Sequence, residues 1–205
     1  MARFPGARRA RTKTAPPGNF RIIGGEWRSR RVPVPALEGV RPTPDRVRET
    51  AFNWLMPVIT GARCLDLYAG SGALGLEALS RGAAEVVFVD RSPAVLQQLR
   101  ENLRRLDCDR ARTVCMDAGS YVEGPATRFD IVFLDPPYRQ AALAPVVARL
   151  VERGWVGPTT AIYLEHEVEA PLPPMPAGWR LARSAAAGQV RYHLARFEPQ
   201  TAGQT

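Results

Sequence analysis

The sequence predicts an α/β fold: a Rossmann-like, doubly wound sheet of seven strands, mostly parallel with an antiparallel last strand, carrying a small N-terminal β-hairpin and helix extension. Three observations lead there. Short apolar runs alternate with helix-period segments from Arg63 to Leu164, the pattern of strands and helices in alternation. The first run, Leu65-Asp66-Leu67-Tyr68, passes into the glycine-rich stretch Ala69–Gly75, which opens a helix as a βα unit of a doubly wound sheet does. The chain then closes on two alternating segments around Gly188, read as a hairpin at one edge. With 205 residues, 45% hydrophobic and 23% charged, it can bury the core of one such domain and has little room for a second.

Taken in order, residues 1–19 are a basic leader with Arg8, Arg9, Arg11 and Lys13 and no acid, a composition expected to stay disordered until bound. Residues 20–58 form the extension, 59–198 the main domain and 199–205 a flexible tail. Within the extension, Arg21–Pro35 reads as two short strands around Gly24-Gly25. Thr43 suits a helix N-cap, Pro44 the first helical position and Asp45 the first turn; Val47, Ala51 and Trp54/Leu55 then give an apolar stripe, with Arg46 and Arg48 away from it or on its flank. The first four strands of the main domain are Arg63–Tyr68, Glu85–Asp90, Arg112–Cys115 and Phe129–Asp135, and Ala161–Leu164 is the fifth. Ser92 caps and Pro93 begins a helix with Val95, Leu96, Leu99, Leu103 and Leu106 on one face, while Gly82 and Gly154 sit where helices should stop. Trp179–Ala186 and Gln189–Phe197 are the terminal hairpin.

Charge is unevenly placed. Residues 1–50 hold twelve of the 28 Lys and Arg and four of the 20 acids, so the whole net charge of +8 belongs to the N-terminal quarter. A basic segment on a neutral body suits a polyanionic partner, because neutralised phosphates release counterions. Twenty-seven of the 28 cations are Arg, which a compositional bias of the coding genome would explain, but bias does not confine the excess to one end. Arg28, Arg30 and Arg31 beside Trp27 would make a stacking and phosphate-binding edge; the alternative is a solvated hairpin whose Trp packs on the main domain. No apolar run is long enough to span a membrane and no secretory leader is evident, so the chain is expected in the cytoplasm. Cys64, Cys108 and Cys115 lack metal-ligand or Cys-x-x-Cys spacing, and His166 and His193 stand far apart in sequence without a Cys nearby, so no metal is expected. No exposed apolar stripe stands out, so a monomer is expected.

Two motifs carry chemistry. Gly70, Gly72 and Gly75 spell Gly-x-Gly-x-x-Gly, and Asp90 lies twenty residues beyond Gly70 at the end of the next strand, where an acid binds ribose hydroxyls in both dinucleotide and S-adenosylmethionine sites. Asp66 separates the two: an acid four residues before the first glycine would repel a pyrophosphate but suits the ammonium of a bound methionine moiety, which makes an NAD-dependent oxidoreductase the lesser reading. Asp117, after the third strand, could accept from an adenine amino group or simply cap a helix. The second motif, Asp135-Pro136-Pro137-Tyr138, closes an apolar strand. An amino group conjugated to a ring is a poor nucleophile, so its catalyst must accept both N–H bonds and aim the nitrogen. The Asp135 carboxylate can take one and the Pro136 carbonyl the other, Pro137 stiffens the turn, and Tyr138 can stack on the base. In a doubly wound sheet the crevice opens between the first and fourth strands, which makes these two turns neighbours.

The combination of Arg21-Ile22-Ile23-Gly24-Gly25, Arg41-Pro42-Thr43 with Asp45–Glu49, Asp66 with Ala69–Arg81, and Asp135–Tyr138 resembles the bacterial 16S ribosomal RNA guanine-N2 methyltransferases, class I S-adenosylmethionine-dependent enzymes, over nearly everything from Phe20 to Phe197. The resemblance implies methyl transfer from S-adenosylmethionine to the exocyclic N2 of one guanine in 16S rRNA of the small ribosomal subunit. It implies a cofactor site of Asp66, Tyr68, Ala69, Gly70, Ser71 and Gly72 at the methionine end, Asp90 and Arg91 at the ribose and Asp117 and Ala118 at the adenine. Asp135–Tyr138 would hold the guanine, and Arg28, Arg30, Arg31, Arg41, Arg46 and Arg48 the RNA. One departure is Ser29, where that family more often has Gly. A DNA adenine-N6 methyltransferase shares Asp-Pro-Pro-Tyr but adds a recognition domain; a glutamine-directed protein methyltransferase tends to carry Asn at position 135. A non-catalytic RNA-binding module would leave Asp66 and Asp135 unexplained.

Overall fold

The computed structural model describes residues 18–34, 42–137 and 143–199. A two-stranded hairpin, β1 (Gly18–Arg21) and β2 (Arg31–Val34), leads to helix α1 (Asp45–Leu55). The body then alternates: β3 (Arg63–Asp66), α2 (Ala73–Ser80), β4 (Glu85–Asp90), α3 (Pro93–Arg105), β5 (Ala111–Cys115), α4 (Ala118–Val122), β6 (Ile131–Leu134), α5 (Leu143–Glu152) and β7 (Ala161–Glu167). A long antiparallel pair, β8 (Trp179–Ala187) and β9 (Val190–Phe197), ends it. The seven-stranded sheet runs β5-β4-β3-β6-β7-β9-β8, with β3 to β7 parallel and β9 antiparallel to β7. The chain leaves β3 on one side through β4 and β5 and returns to its other side with β6 and β7. Strand order therefore reverses between β3 and β6, and a crevice opens beyond their carboxyl ends.

The parallel strands are buried on both faces, so their side chains divide by parity between two cores. Cys64, Phe88, Ile131, Phe133 and Tyr163 face α1, α2 and α3, whereas Leu65, Val87, Val132 and Leu134 face α4 and α5. Phe20, Ile22, Trp27 and Val32 of the hairpin segment belong to the same cluster as Phe133 and Tyr163. The extension shares the core of the main domain instead of standing beside it.

Several local expectations shift. Gly18 and Asn19, assigned to the leader, already pair in β1 with Val34 and Pro33. The remaining leader and most of the tail, residues 1–17 and 200–205, lie outside the described residues. Gly24-Gly25 is not a two-residue turn: Ile22 N donates to Arg30 O (3.0 Å) and Ser29 N to Ile22 O (2.8 Å), so the connection spans the segment between them. Gly25, at φ +78°, lies against the end of α2, where a Cβ would meet Ser80 O at 1.8 Å. Ser29 itself stands at φ +68°, a left-handed backbone that a glycine would adopt without strain. Thr43 does not cap α1; Pro44 holds the N-cap position and makes no side-chain cap. Ser92 does cap α3, accepting from Val95 N at 3.4 Å, and Gly82 and Gly154 take positive φ just past α2 and α5. The fifth strand runs on to Glu167 because β9 pairs with it as far as Val190.

Candidate active site

The glycine turn is pinned at its start and finish. Leu67 N donates to Phe133 O (3.2 Å) and Ala69 N to Val89 O (2.9 Å), so the chain leaving β3 is tied to both neighbouring strands. Gly72 (φ +78°) is the N-cap of α2, and a Cβ on Gly75 would stand 2.1 Å from Phe88 Cε1, so only a glycine lets α2 settle on β4. Asp66 lies beneath the turn, 1% exposed, its Oδ2 accepting from Gly75 N at 3.1 Å. Burial raises its carboxyl to about 7; the Gly75 N–H opposes this, and the charges of Asp135 and Asp90 add to the rise. Asp90 accepts from Gly70 N (3.0 Å) through Oδ2 and from Ser92 N (2.8 Å) through Oδ1, joining the turn to the end of β4. Ala69, Ser71 and Ala118 are buried, Tyr68 is half-buried, and Arg91 is exposed. Tyr68 is pushed up to about 12 by burial and by the negative charge of Asp117. Asp117 is exposed and caps α4, with Oδ1 accepting from Gly119 N (2.9 Å) and Ser120 N (3.3 Å). The helix-cap reading of Asp117 is thus realised, and both bonds fall on one oxygen.

The Asp135 turn stands beside it. Asp66 pairs in register with Phe133, and Asp135 follows two residues on, about 7 Å farther along the strand direction. Asp135 is half-buried at the crevice mouth, with Pro136 half-buried and Pro137 exposed. Its Oδ2 accepts from Thr43 Oγ1 at 3.4 Å. Burial pushes its carboxyl up to about 6, with the Thr43 hydroxyl opposing the rise. Tyr138 lies outside the described residues. Four carboxylates, Asp66, Asp90, Asp117 and Asp135, thus stand at or just beyond the carboxyl ends of β3, β4, β5 and β6, and among the expected cofactor residues Arg91 is the one cation and is exposed. Such a set of anionic acceptors repels a pyrophosphate. It fits a ligand that carries a positive charge and offers hydroxyl and amino hydrogens, which is what S-adenosylmethionine presents.

The basic side divides. Arg28, Arg30, Arg31 and Arg46 are exposed; Arg30 also donates to Arg105 O at 2.8 Å, and Arg41 lies outside the described residues. A groove of about 370 Å³ lined by Asn19, Phe20, Arg21, Arg31 and Pro42–Asp45 connects this edge to Thr43, and so to Asp135. Trp27 offers no stacking face: it is 3% exposed, its backbone N donates to Ser80 Oγ, and Arg110 lies over its ring at 5.9 Å. Arg48 is a correction. It is fully buried, and its guanidinium donates to Thr43 O (3.0 Å), Arg21 O (2.7 Å), Asp45 Oδ1 (2.6 Å) and Glu77 Oε2 (3.2 Å), leaving nothing for a phosphate. Buried Glu77 also accepts from Ile23 N, Gly24 N and Arg81 Nε, and so fastens the extension to α2. Sequence reasoning passed over Glu77, although a lone acid in the otherwise apolar helix Ala73–Ser80 was a visible signal. It also passed over Thr43 as a partner of Asp135. Among the described residues no group of three or more His, Cys, Asp or Glu could hold a metal, and no helix is long and apolar enough to cross a membrane.

Comparison with known proteins follows the same lines. The family described as Conserved hypothetical protein 95 matches residues 20–196. The chain is 51% identical to Ribosomal RNA small subunit methyltransferase D of Escherichia coli over 183 residues, which cover 89% of this chain and 92% of that protein. It is 43% identical to the Haemophilus influenzae protein of the same name over 181 residues, 86% of this chain and 93% of the relative. The solved structure of yhhF from Escherichia coli superposes with a TM-score of 0.82 at 51% identity, covering 89% of this chain and all of that one. Both turns and the whole extension from Phe20 onward fall inside the family match, and the chain therefore belongs to the Conserved hypothetical protein 95 family, as a homologue of the small-subunit methyltransferase D proteins.

Proposed function

We propose that this chain transfers a methyl group from S-adenosylmethionine to the exocyclic N2 of a guanine in the 16S rRNA of the small ribosomal subunit. The observation that carries the reading is the meeting of the glycine turn and the Asp135 turn at the β3/β6 reversal, among four carboxylates at the strand ends. The names of the relatives, which specify small-subunit ribosomal RNA, support the substrate class.

When bound, the cofactor supplies an electrophilic sulfonium methyl. Asp66 would face its ammonium and Asp90 the ribose hydroxyls. Asp117 has an exposed position from which to accept the adenine amino hydrogens. The target base must leave its stack, at a cost of a few kcal/mol that is lower in a single-stranded loop. Asp135 then accepts one N2–H and the Pro136 carbonyl the other, which draws the nitrogen lone pair out of the ring and toward the methyl. Transfer of that methyl would release the cofactor as its neutral thioether, and the proton lost from the amine would pass to Asp135 or to water. The groove past Arg21 and Arg31 offers a path for the flanking phosphates.

The test is methyl transfer from labelled cofactor to unmodified small subunits, naked 16S rRNA, duplex DNA and protein, followed by nucleoside analysis. N2-methylguanosine in the RNA is expected. N6-methyladenine in DNA, or label in protein alone, would overturn the assignment. Asp135→Ala should abolish turnover and leave cofactor affinity nearly unchanged; loss of cofactor binding with activity would remove Asp135 from the role of base holder.

A further inference from the structure

Asp135 must hold its carboxylate at one angle to receive an amine, yet little around it can do the holding. The titratable groups that face it are Asp66 on β3 and Glu165 and Tyr163 on β7, none of them a cation. Arg48, on α1, spends its guanidinium on Thr43 O, Arg21 O, Asp45 and Glu77. Pro136 and Pro137, next in the chain, have no N–H to offer. Among the described residues the carboxylate receives one hydrogen bond, donated by Thr43 Oγ1 to Oδ2 at 3.4 Å. With Oδ2 engaged there, Oδ1 is the oxygen left free to accept an N–H of the base.

Thr43 is fixed from several sides. It is 7% exposed, and its hydroxyl has no capping duty, because Pro44 holds the N-cap position of α1. Its carbonyl accepts from Arg48 Nε at 3.0 Å, and Arg48 is tied through Glu77 to α2. Helix α1 in turn lies on β6, the strand that runs into Asp135, with the Phe52 and Phe133 rings 5.8 Å apart. The backbone that carries the hydroxyl is thus anchored to the same strand as the carboxylate it meets. Branching at Cβ restricts the rotamers open to that hydroxyl. At 3.4 Å the contact is longer than the 2.7–2.8 Å usual between a hydroxyl and an oxygen, as hydrogen bonds that serve catalysis often are before the substrate arrives.

We propose that Thr43 is a positioning residue for Asp135: its hydroxyl holds Oδ2 of the carboxylate and so turns Oδ1 toward the amine of the target base. The consequence rests on the methyl-transfer reading, whereas the first observable below does not. Thr43 acts through Asp135 and exchanges no proton with the substrate.

Two experiments decide it. A hydroxyl that donates to a carboxylate favours the charged form, so its removal makes the acid harder to ionise. Carbon-13 carboxyl titration of the free protein, with Asp135→Asn to assign the resonance, should show Asp135 ionising at higher pH in Thr43→Val than in the parent, and Thr43→Ser close to the parent. A Thr43→Val protein in which Asp135 titrates as in the parent overturns the proposal, and this readout needs neither cofactor nor RNA. In the methyl-transfer assay Thr43→Val should lower kcat by about ten- to a hundredfold, the upper figure being that of a group misplaced by about 1 Å. Cofactor Kd and the KM for RNA should stay nearly unchanged, and the acid limb of kcat should move to higher pH. Thr43→Ser, which keeps the hydroxyl, should recover most of the loss. Three results overturn the proposal: a Thr43→Val protein as fast as the parent, one that loses cofactor affinity along with rate, or one that the serine does not rescue. Thr43→Ala takes the place of Thr43→Val should the valine variant melt below the parent. A parent protein that methylates no RNA while the titration comes out as expected would instead strike the functional reading.

Discussion

Glu77→Gln isolates the interaction that joins the extension to the sheet. The Glu77 carboxylate takes four donors, Gly24 N (2.8 Å) and Arg81 Nε (2.7 Å) on Oε1, and Ile23 N (2.8 Å) and Arg48 Nη1 (3.2 Å) on Oε2. A glutamine preserves the shape but turns one oxygen into a donor, and the arrangement is symmetric in chemistry. Whichever oxygen is replaced, one backbone N–H and one guanidinium lose their acceptor and face an NH₂ group. A buried N–H left unsatisfied costs about 1–3 kcal/mol. Stripping one partner from a buried ion pair costs about 3–5 kcal/mol, and Arg48 is 0% exposed. The terms share one pocket and do not simply add, so a loss on the order of 4–5 kcal/mol is expected, a large part of the roughly 5–15 kcal/mol typical of a whole domain. Urea unfolding followed by circular dichroism measures it, with an unchanged m-value as the check that a single transition is compared. Adding Arg48→Met to Glu77→Gln should cost much less than the two single losses summed, because both changes break the same buried contact, Arg48 keeping only Asp45 as an anionic partner after the first. A Glu77→Gln loss below about 1 kcal/mol, or strict additivity, would refute the claim that this pair fastens the extension.

Other consequences follow from single positions. Ser29→Gly should raise stability by about 0.5–1 kcal/mol in thermal melts, since Ser29 bears a left-handed backbone at φ +68°; an unchanged or lower Tm counts against it. Gly75→Ala should destabilise by about 1–3 kcal/mol and weaken cofactor binding, because its Cβ would stand 2.1 Å from the Phe88 ring; normal calorimetric affinity in that variant would show that the turn tolerates α2 moving off β4. The Asp66 carboxyl rises from 3.8 to about 7 on folding, so the native state binds the extra proton between those values. Its contribution is whole below about pH 4 and is lost as pH climbs through 7. Asp66→Asn should therefore gain stability relative to the parent over that window, by an amount on the order of a few kcal/mol, and a flat difference would deny the shift. Removing residues 1–17, with Arg3, Arg8, Arg9, Arg11 and Lys13, should reduce the slope of log affinity for RNA against log salt by about 0.7 for each phosphate that the leader neutralises. An unchanged slope would take the leader out of binding.

What could be read in advance was whatever the chain encodes locally. Apolar runs located β3, β4, β5, β6 and β7, and the acids at their ends followed from strand order. The Ser92 cap and the glycines at 82 and 154 are short-range chemistry and appear where expected. Residues whose role depends on distant partners were misplaced. Arg48 is expected away from the apolar stripe of α1 or on its flank, yet Val47, Arg48, Ala51, Phe52 and Leu55 make a regular buried stripe at helical spacing. Periodicity admits Arg48 to the stripe; the assumption that arginine seeks water keeps it out. What reverses the assumption is Glu77, twenty-nine residues away and likewise inside an apolar stripe. Two opposite charges on two buried faces are a long-range pattern, invisible to any reading that treats each helix alone. Thr43 was misread for the opposite reason: its spacing before Asp45 fits a cap, but its hydroxyl is drawn away to Asp135, ninety-two residues later.

These misplacements share one physical cause, which bears on how binding and chemistry are coupled. The extension is not an RNA-binding piece attached to a finished catalyst. Phe20, Ile22 and Trp27 lie in the same core as Phe133, the strand residue two before Asp135. Arg48 ties the Arg21 carbonyl, next to the exposed basic edge, to the Thr43 carbonyl, and Thr43 ties that segment to Asp135. A strand seated in the groove past Arg21 and Arg31 would press on the backbone that positions the Asp135 partner. On the proposed function the uneven charge of the sequence would serve two ends. Its exposed arginines would gather the polyanion, while the one drawn inside would hold that surface in register with the carboxylate that orients the amine. For that reason the basic edge and the reacting group should fail together when the Arg48–Glu77 pair is broken, although neither residue reaches the substrate.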